Sequence, residues 1–351
     1  MDVPIRHRGR AGMEFLGSLQ GYSGGVLQKR AAAAYAEAVP EPPTKINERR
    51  DSVHRALDDD SAWRFDRLFT RYVAEEIYVR AIPAAEEVRP AIEEWLEVTD
   101  APGSLTLDPD LKPPKYWENG FHLTPGGWDG HDLMGVITQD FGYHYVLKPG
   151  GVGAVRTGED LNDQRTLLAM EAPRRDYRRI LEPGIGTGRF ALSLSKVFPD
   201  AQITGVELST QMLRYAHATA AEEGLNWELI QAAAEDTGLP DASVDLVAAY
   251  ILFHETPPKA TEAILREMFR VLEPGGDIVI GDVAPYEHQE AFRAVVLDWE
   301  TENRGEPYWR SALQLDVPGL LKEIGFTDVE AYGVGPGNYP WANRARKPEQ
   351  A

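Results

Sequence analysis

The chain contains no cysteine. Disulfides, thiolate zinc sites and a cysteine nucleophile are therefore excluded together, and a reducing, cytoplasmic setting is expected. It also lacks any apolar stretch approaching the roughly 18 residues needed to cross a bilayer. Arg6, Arg8 and Arg10 are followed by no long apolar run, so no secretory signal is expected. Basic residues are scarce, 36 Lys and Arg against 56 Asp and Glu, for a formal charge of −20. Such a field repels phosphate backbones and anionic lipid, which argues against nucleic acid and membrane as partners; its plainest use is solubility. The 43% apolar fraction over 351 residues is enough for a buried core and for two modest domains.

Two regions differ in texture. Residues 1–155 read as a mostly helical extension, partly frayed at its start. An alanine-rich run, Ala31 to Ala38, is stopped by Pro40, Pro42 and Pro43. Phe65, Leu68, Phe69, Tyr72, Val73 and Ile77 recur at helical spacing and predict an amphipathic helix, its face packed on the protein's own core or on a second copy of the chain. Residues 101–153 are punctuated by Gly and Pro and dense in aromatics (Tyr116, Trp117, Phe121, Trp128, Phe141, Tyr143, Tyr145), as in a lid or pocket wall. The extension is thus expected to serve as a lid, a homodimer interface, or both.

A helix over 157–172, ended by Pro173, opens the second region, 156–345. From Tyr177 onward strands alternate with helices: strands at 179–182, 202–207, 227–231, 245–250 and 277–282, helices at 188–198, 209–223 and after Thr261. The last is expected to bury Ile264, Leu265, Met268, Val271 and Leu272. Alternation at this pitch predicts an α/β fold with a parallel, doubly wound sheet covered on both faces.

The sharpest local signal is Glu182-Pro183-Gly184-Ile185-Gly186-Thr187-Gly188, at a strand end and opening a helix. Glycine permits a tight turn and leaves no Cβ between backbone and ligand. In the dinucleotide pattern G-x-G-x-x-G the third glycine would fall at Arg189, which disfavours a nicotinamide oxidoreductase. Glu207 closes the second strand, where a carboxylate can accept from both hydroxyls of a ribose; a plain carboxylate at a helix start is the alternative.

These blocks, with GVELS at Gly205–Ser209, LPDASVDLV at Leu239–Val247 and LEPGG at Leu272–Gly276, resemble the class I S-adenosylmethionine-dependent methyltransferases over about residues 180–285, most closely the small-molecule type of ubiquinone and menaquinone biosynthesis. The resemblance implies a Rossmann-like, mostly parallel seven-stranded sheet, S-adenosylmethionine as cofactor and S-adenosylhomocysteine as product. It also implies that Glu182, Gly184, Gly186 and Gly188 shape the pocket for the cofactor's amino-acid end, that Glu207 holds the ribose, and that Leu208 and Met212 pack on the adenine. The Asp common after the third strand is replaced by Ala233, so Ala234 backbone groups, Glu235 or Asp236 are expected to meet the adenine amino group. Arg165 is placed either at the cofactor carboxylate or in a surface ion pair.

Methyl transfer from a sulfonium is an in-line displacement, in which the protein positions the acceptor and keeps it nucleophilic. Tyr250-Ile251-Leu252-Phe253-His254-Glu255 ends the fourth strand and so flanks the expected cleft. Tyr250 is expected to line cofactor and reacting groups. His254 is the candidate base, a loop-positioning histidine being the alternative, and Asp282 points to the same cleft. Tyr286, His288, Tyr308, Trp309 and Trp341 are further candidates for its walls. His122, His131 and His144, with Asp129, Asp132 and Asp140, match no metal motif, and no metal is expected. The expected reaction is methylation of a small aromatic or apolar molecule on O, N or C; the alternative is a non-methylating cyclisation or rearrangement around bound cofactor.

Overall fold

A computed structural model describes residues 5–98, 100–151, 155–156 and 158–349. The chain forms two compact units, each assembled from separated stretches: 1–92, 120–161 and 285–310 in a helical unit, and 93–119, 162–284 and 311–351 in a sheet unit. Residues 285–310, inside the region read from sequence as strand–helix alternation, thus pack with the helical unit.

The sheet unit holds eight strands: β1 Ser104–Thr106, β2 Arg179–Pro183, β3 Gln202–Glu207, β4 Trp227–Gln231, β5 Val244–Tyr250, β6 Leu272–Asp282, β7 Thr327–Gly333 and β8 Trp341–Arg346. Their order is β1-β4-β3-β2-β5-β6-β8-β7. Pairings from β1 to β6 are parallel, and β8 is antiparallel to both β6 and β7. Seven strands were expected, and β1 is the addition. It pairs Ser104 with Glu228, and the approach depends on Gly103, where a Cβ would stand 2.1 Å from the Trp227 carbonyl oxygen. Three residues are too few to display an alternation.

From β2 the chain steps outward to β3 and β4, then returns to the other side for β5 and β6. The carboxyl ends of β2, β3 and β5 therefore surround the point where strand order reverses, the usual ligand crevice of an open parallel sheet. β5 is buried at every position, as a strand covered on both faces must be. Helix Pro258–Val271 covers one face and buries Ile264, Leu265, Met268 and Val271 against Leu181, Val247, Ile278 and Ile280. Each such side chain contributes about 1.5–3 kcal/mol. Leu272, expected on this helix, instead begins β6.

The helical unit is built from His7–Tyr22, Gln28–Ala38, Ile46–Leu57, Ser61–Glu86 and Ala291–Asn303. Asp60 caps the 26-residue helix by accepting from the Trp63 N–H at 2.8 Å. Its apolar residues divide between two faces. Trp63, Val73, Ala74, Ile77 and Tyr78 are buried, whereas Phe65, Leu68 and Tyr72 point outward at 51%, 58% and 36% exposure. Within the region read as an aromatic loop, Ile137–Leu147 coils as a wide, π-type helix with Ile137, Phe141 and Val146 buried.

Candidate functional site

The site is built by three strand ends of the sheet unit. The turn after β2 runs through three left-handed glycines, Gly184 (φ +66°), Gly186 (+54°) and Gly188 (+78°). A Cβ on Gly184 would meet Leu252 at 2.7 Å and one on Gly188 would meet the Trp227 ring at 2.7 Å. At Gly186 a Cβ would meet nothing within 4 Å. Gly188 is therefore required by packing against a rigid indole, Gly184 meets the movable tip of a leucine, and the middle glycine leaves bare backbone beside open space.

Glu207, at the end of β3, faces this turn. Its Oε2 accepts from the Gly186 N–H at 3.0 Å and its Oε1 from the Ser209 N–H at 2.9 Å. A carboxylate has acceptor capacity beyond two such bonds. Ser209 caps the next helix through the Met212 N–H, which brings Met212 inward to 5% exposure. Leu208, half-buried, lends its carbonyl to Gln231 at 3.0 Å.

Glu182 is 2% exposed, and its Oε2 has no hydrogen-bond partner. Burial holds its carboxyl well above the ordinary range; the Arg165 charge pulls it down and the Glu207 charge pushes it up. A buried acid with an unmatched oxygen is the complement of a cation such as an α-ammonium group. Arg165 is itself buried at 8%, bonds Asn162 at 3.0 Å and lies 5.4 Å from the Tyr250 ring centroid, so it is not a surface ion-pair partner.

Ala234 is buried at 8%, and Glu235 Oε1 accepts from the Tyr116 hydroxyl at 2.7 Å while Oε2 is buried without a partner. An outward amide or amino donor would satisfy that oxygen. Asp236 instead turns back, its N–H donating to the Ala233 carbonyl at 3.1 Å.

At the end of β5 the backbone is strained. Ile251 has φ +52°, an outlier for a β-branched residue. The next turn delivers His254, 5% exposed, with Nδ1 2.6 Å from Asp282 Oδ1 on the adjacent β6. The Asp282 carboxylate also accepts from the N–H groups of Phe253 (3.0 Å), His254 (3.3 Å) and Val283 (2.7 Å). So engaged, Asp282 is suited to orienting the imidazole, with Nδ1 protonated and Nε2 presented as the basic nitrogen; Glu255 Oε1 lies 3.6 Å from Nε2. The Tyr250 hydroxyl meets that of Tyr339 at 3.0 Å. Burial drives the Tyr339 phenol well above its usual range.

Tyr339 was invisible in the sequence as a site residue; it precedes β8, 89 positions from Tyr250, and no local spacing links them. Trp341 lies in β8 at 8% exposure. Tyr286, His288, Tyr308 and Trp309 belong to the helical unit, and Tyr286 spends its hydroxyl on Asp298 at 2.9 Å. Of the histidines considered for metal binding, His122 Nδ1 sits 2.8 Å from Glu306 and His144 lies edge-on to Tyr145, while His131 meets Glu86 and Asp132, both also paired with Arg89, in a trio whose ligand atoms lie within 4.8 Å of one another.

Comparison with known proteins converges on the same stretch. Residues 180–276 match the family model described as a methyltransferase domain. This stretch is similar to the methyltransferase domains of S-adenosylmethionine-dependent enzymes. The chain is 34% identical over 131 residues to a demethylmenaquinone methyltransferase of Thermus thermophilus, covering 36% of this chain and 57% of that protein. It is 38% identical over 104 residues to a phosphatidylethanolamine N-methyltransferase of Cereibacter sphaeroides, 29% of this chain and 49% of that one. The chain spans about half the length of these curated relatives. It is also 27% identical over 214 residues to an S-adenosyl-L-methionine-dependent Diels–Alderase of Talaromyces variabilis, 58% of this chain and 71% of that one. A Haemonchus contortus phosphoethanolamine N-methyltransferase aligns at TM-score 0.44 and 18% identity, covering 63% of this chain and 58% of that one.

Proposed function

We propose that the protein transfers a methyl group from S-adenosylmethionine to a small-molecule acceptor. The observation that carries this reading is the bare Gly186 turn facing the Glu207 carboxylate one strand over. In this reading Glu207 holds the ribose hydroxyls, Glu182 pairs with the ammonium group, Glu235 Oε2 accepts from the adenine amino group, and Leu208, Met212 and Ala234 flank the ring. Bound there, the cofactor supplies an electrophilic methyl on a sulfonium. The protein's own part is to position the acceptor, keep water out and receive its proton at His254 Nε2, with Asp282 fixing the tautomer and Tyr250 and Tyr339 closing the wall.

A second reading is supported by the similarity to the Diels–Alderase, in which the same pocket holds the cofactor while the acceptor rearranges without methylation. Incubating the protein with methyl-labelled cofactor and a pool of small aromatic and apolar metabolites separates the two. Label in a product supports transfer, and an unlabelled, cofactor-dependent product supports rearrangement. No cofactor-dependent product from any pool counts against both.

We also propose that the outward stripe of Phe65, Leu68, Tyr72 and Val79 (61% exposed) meets a second copy of the chain. These residues share one helix face, and an exposed apolar stripe of that length is the expected mark of an interface.

A further inference from the structure

Two acids stand at the carboxyl ends of neighbouring parallel strands, and the fold treats them differently. Glu207, closing β3, is half-buried, and its two oxygens accept from the N–H groups of Gly186 and Ser209 at 3.0 and 2.9 Å. Hydrogen bonds donated to both oxygens favour the charged form of a carboxyl group. Glu182, near the end of β2, is 2% exposed. The Ala191 N–H donates to its carboxyl, and Oε2 is buried with no partner. An ionised oxygen so placed would be neither hydrated nor bonded, so this packing favours the neutral acid.

The surroundings of Glu182 agree with that geometry. Burial is the largest influence and holds the carboxyl well above its ordinary range. Arg165, from helix Leu161–Met170, pulls it down, and Glu207 on β3 pushes it up. The Arg165 guanidinium is shared with other groups: Nη1 donates to Asn162 at 3.0 Å, and the Tyr250 ring at the end of β5 lies 5.4 Å away. The next helix, Arg189–Val197, offers Glu182 the Ala191 N–H and no opposing charge.

The next step rests on the proposed function, in which the ammonium group of the cofactor's amino-acid tail pairs with Glu182. Before binding, the carboxyl holds one proton and the ammonium three, since an α-amino group titrates at about 8. A carboxylate beside an ammonium holds three protons between them. A neutral acid beside a neutral amine holds three as well. In either arrangement one proton goes to the solvent, and no other reactant is needed.

We propose that the sheet unit takes up its S-adenosyl ligand in exchange for a proton, with Glu182 as the exchanging group. Affinity then rises with pH while Glu182 is neutral in the free chain, toward a limit of about tenfold per pH unit for one proton. It levels off once Glu182 is ionised before the ligand arrives. The empty chain is thereby spared a buried, unpaired charge, which appears only when a cation arrives to meet it.

Calorimetric titration of the full chain with S-adenosylhomocysteine at pH 6, in two buffers of different ionisation enthalpy, counts the protons directly. This ligand carries the amino-acid tail but no transferable methyl, so the count does not depend on turnover. 5′-Methylthioadenosine, which keeps the nucleoside and the sulfur without that tail, is the comparison. Release of more than half a proton per chain is expected with S-adenosylhomocysteine and none with 5′-methylthioadenosine. Glu182→Gln should bind S-adenosylhomocysteine more weakly and release none; where that variant does not fold, the comparison of ligands decides. Saturable binding with the same heat in both buffers overturns the exchange and leaves the proposed function standing. Equal release with the two ligands, or undiminished release in Glu182→Gln, also overturns it. No saturable heat with either ligand removes the proposed function and the exchange together.

Discussion

A carboxyl group sealed from water with one oxygen unmatched must stay neutral or find a cation, and Glu182 is such a group. Its folded-state value is raised by burial above the 4.5 of an ordinary Glu. Between that ordinary value and the raised one, the folded state keeps a proton that the unfolded chain has lost. Stability contributed at Glu182 therefore falls as pH rises through that window. Glu182→Gln removes the ionisable group. Urea denaturation of the cofactor-free chains should show the variant gaining on the parent as pH rises from 4.5 to 7, while its affinity for S-adenosylmethionine drops tenfold or more. A variant that loses stability and keeps its affinity contradicts the assignment. If His254 is the base proposed above, His254→Ala should lower turnover about 10²–10⁴-fold, the usual worth of a positioned base. Asp282→Asn should produce a smaller loss with a shifted pH–rate profile, because the tautomer and not the base is disturbed. Turnover at several pH values checks both. Glu182, Glu207 and the glycines were legible because their chemistry sits in short strings. His254 and Asp282 were each legible as strand-end residues, but their 2.6 Å contact follows only from β5 lying next to β6.

At the scale of elements, the proposal gives packing and binding to different glycines of the turn after β2. Gly188→Ala must place a Cβ 2.7 Å from the Trp227 ring at φ +78°, and should cost about 1–3 kcal/mol. Gly186→Ala has open space and meets only the backbone penalty, about 1–2 kcal/mol, yet should weaken cofactor binding more than Gly188→Ala does. Chemical denaturation and cofactor titration of the pair check the contrast; equal losses of affinity would speak against the bare turn as the contact surface. The parallel core from β2 to β6 was legible because buried strands and amphipathic helices alternate at fixed pitch. β1 was not, being three residues long and held by a glycine approach. Nor was Ile137–Leu147, whose aromatic and glycine density resembles a loop until Phe141 and Val146 are seen to be buried.

For the whole molecule, the aromatic periodicity of 65–77 proves to serve two faces of one helix. The inward face was legible from spacing; the outward one could not be told from it, since Phe65 and Val73 look alike to a hydrophobicity count while one is exposed and the other is not. If Phe65, Leu68, Tyr72 and Val79 join two copies, sedimentation equilibrium should show a dimer for the parent chain and a monomer of undiminished helix content for Leu68→Glu. A parent chain that sediments as a monomer throughout the micromolar range excludes the interface.

In the proposed reading the turn at Gly186 and the carboxylate of Glu207 together receive a nucleoside bearing a cationic tail. Calorimetric titration of the parent chain and of Glu207→Ala with S-adenosylmethionine tests it most directly. Saturable one-to-one binding by the parent, weakened a hundredfold or lost in Glu207→Ala, is the predicted result. No heat at millimolar ligand, or equal affinity in both chains, would contradict it.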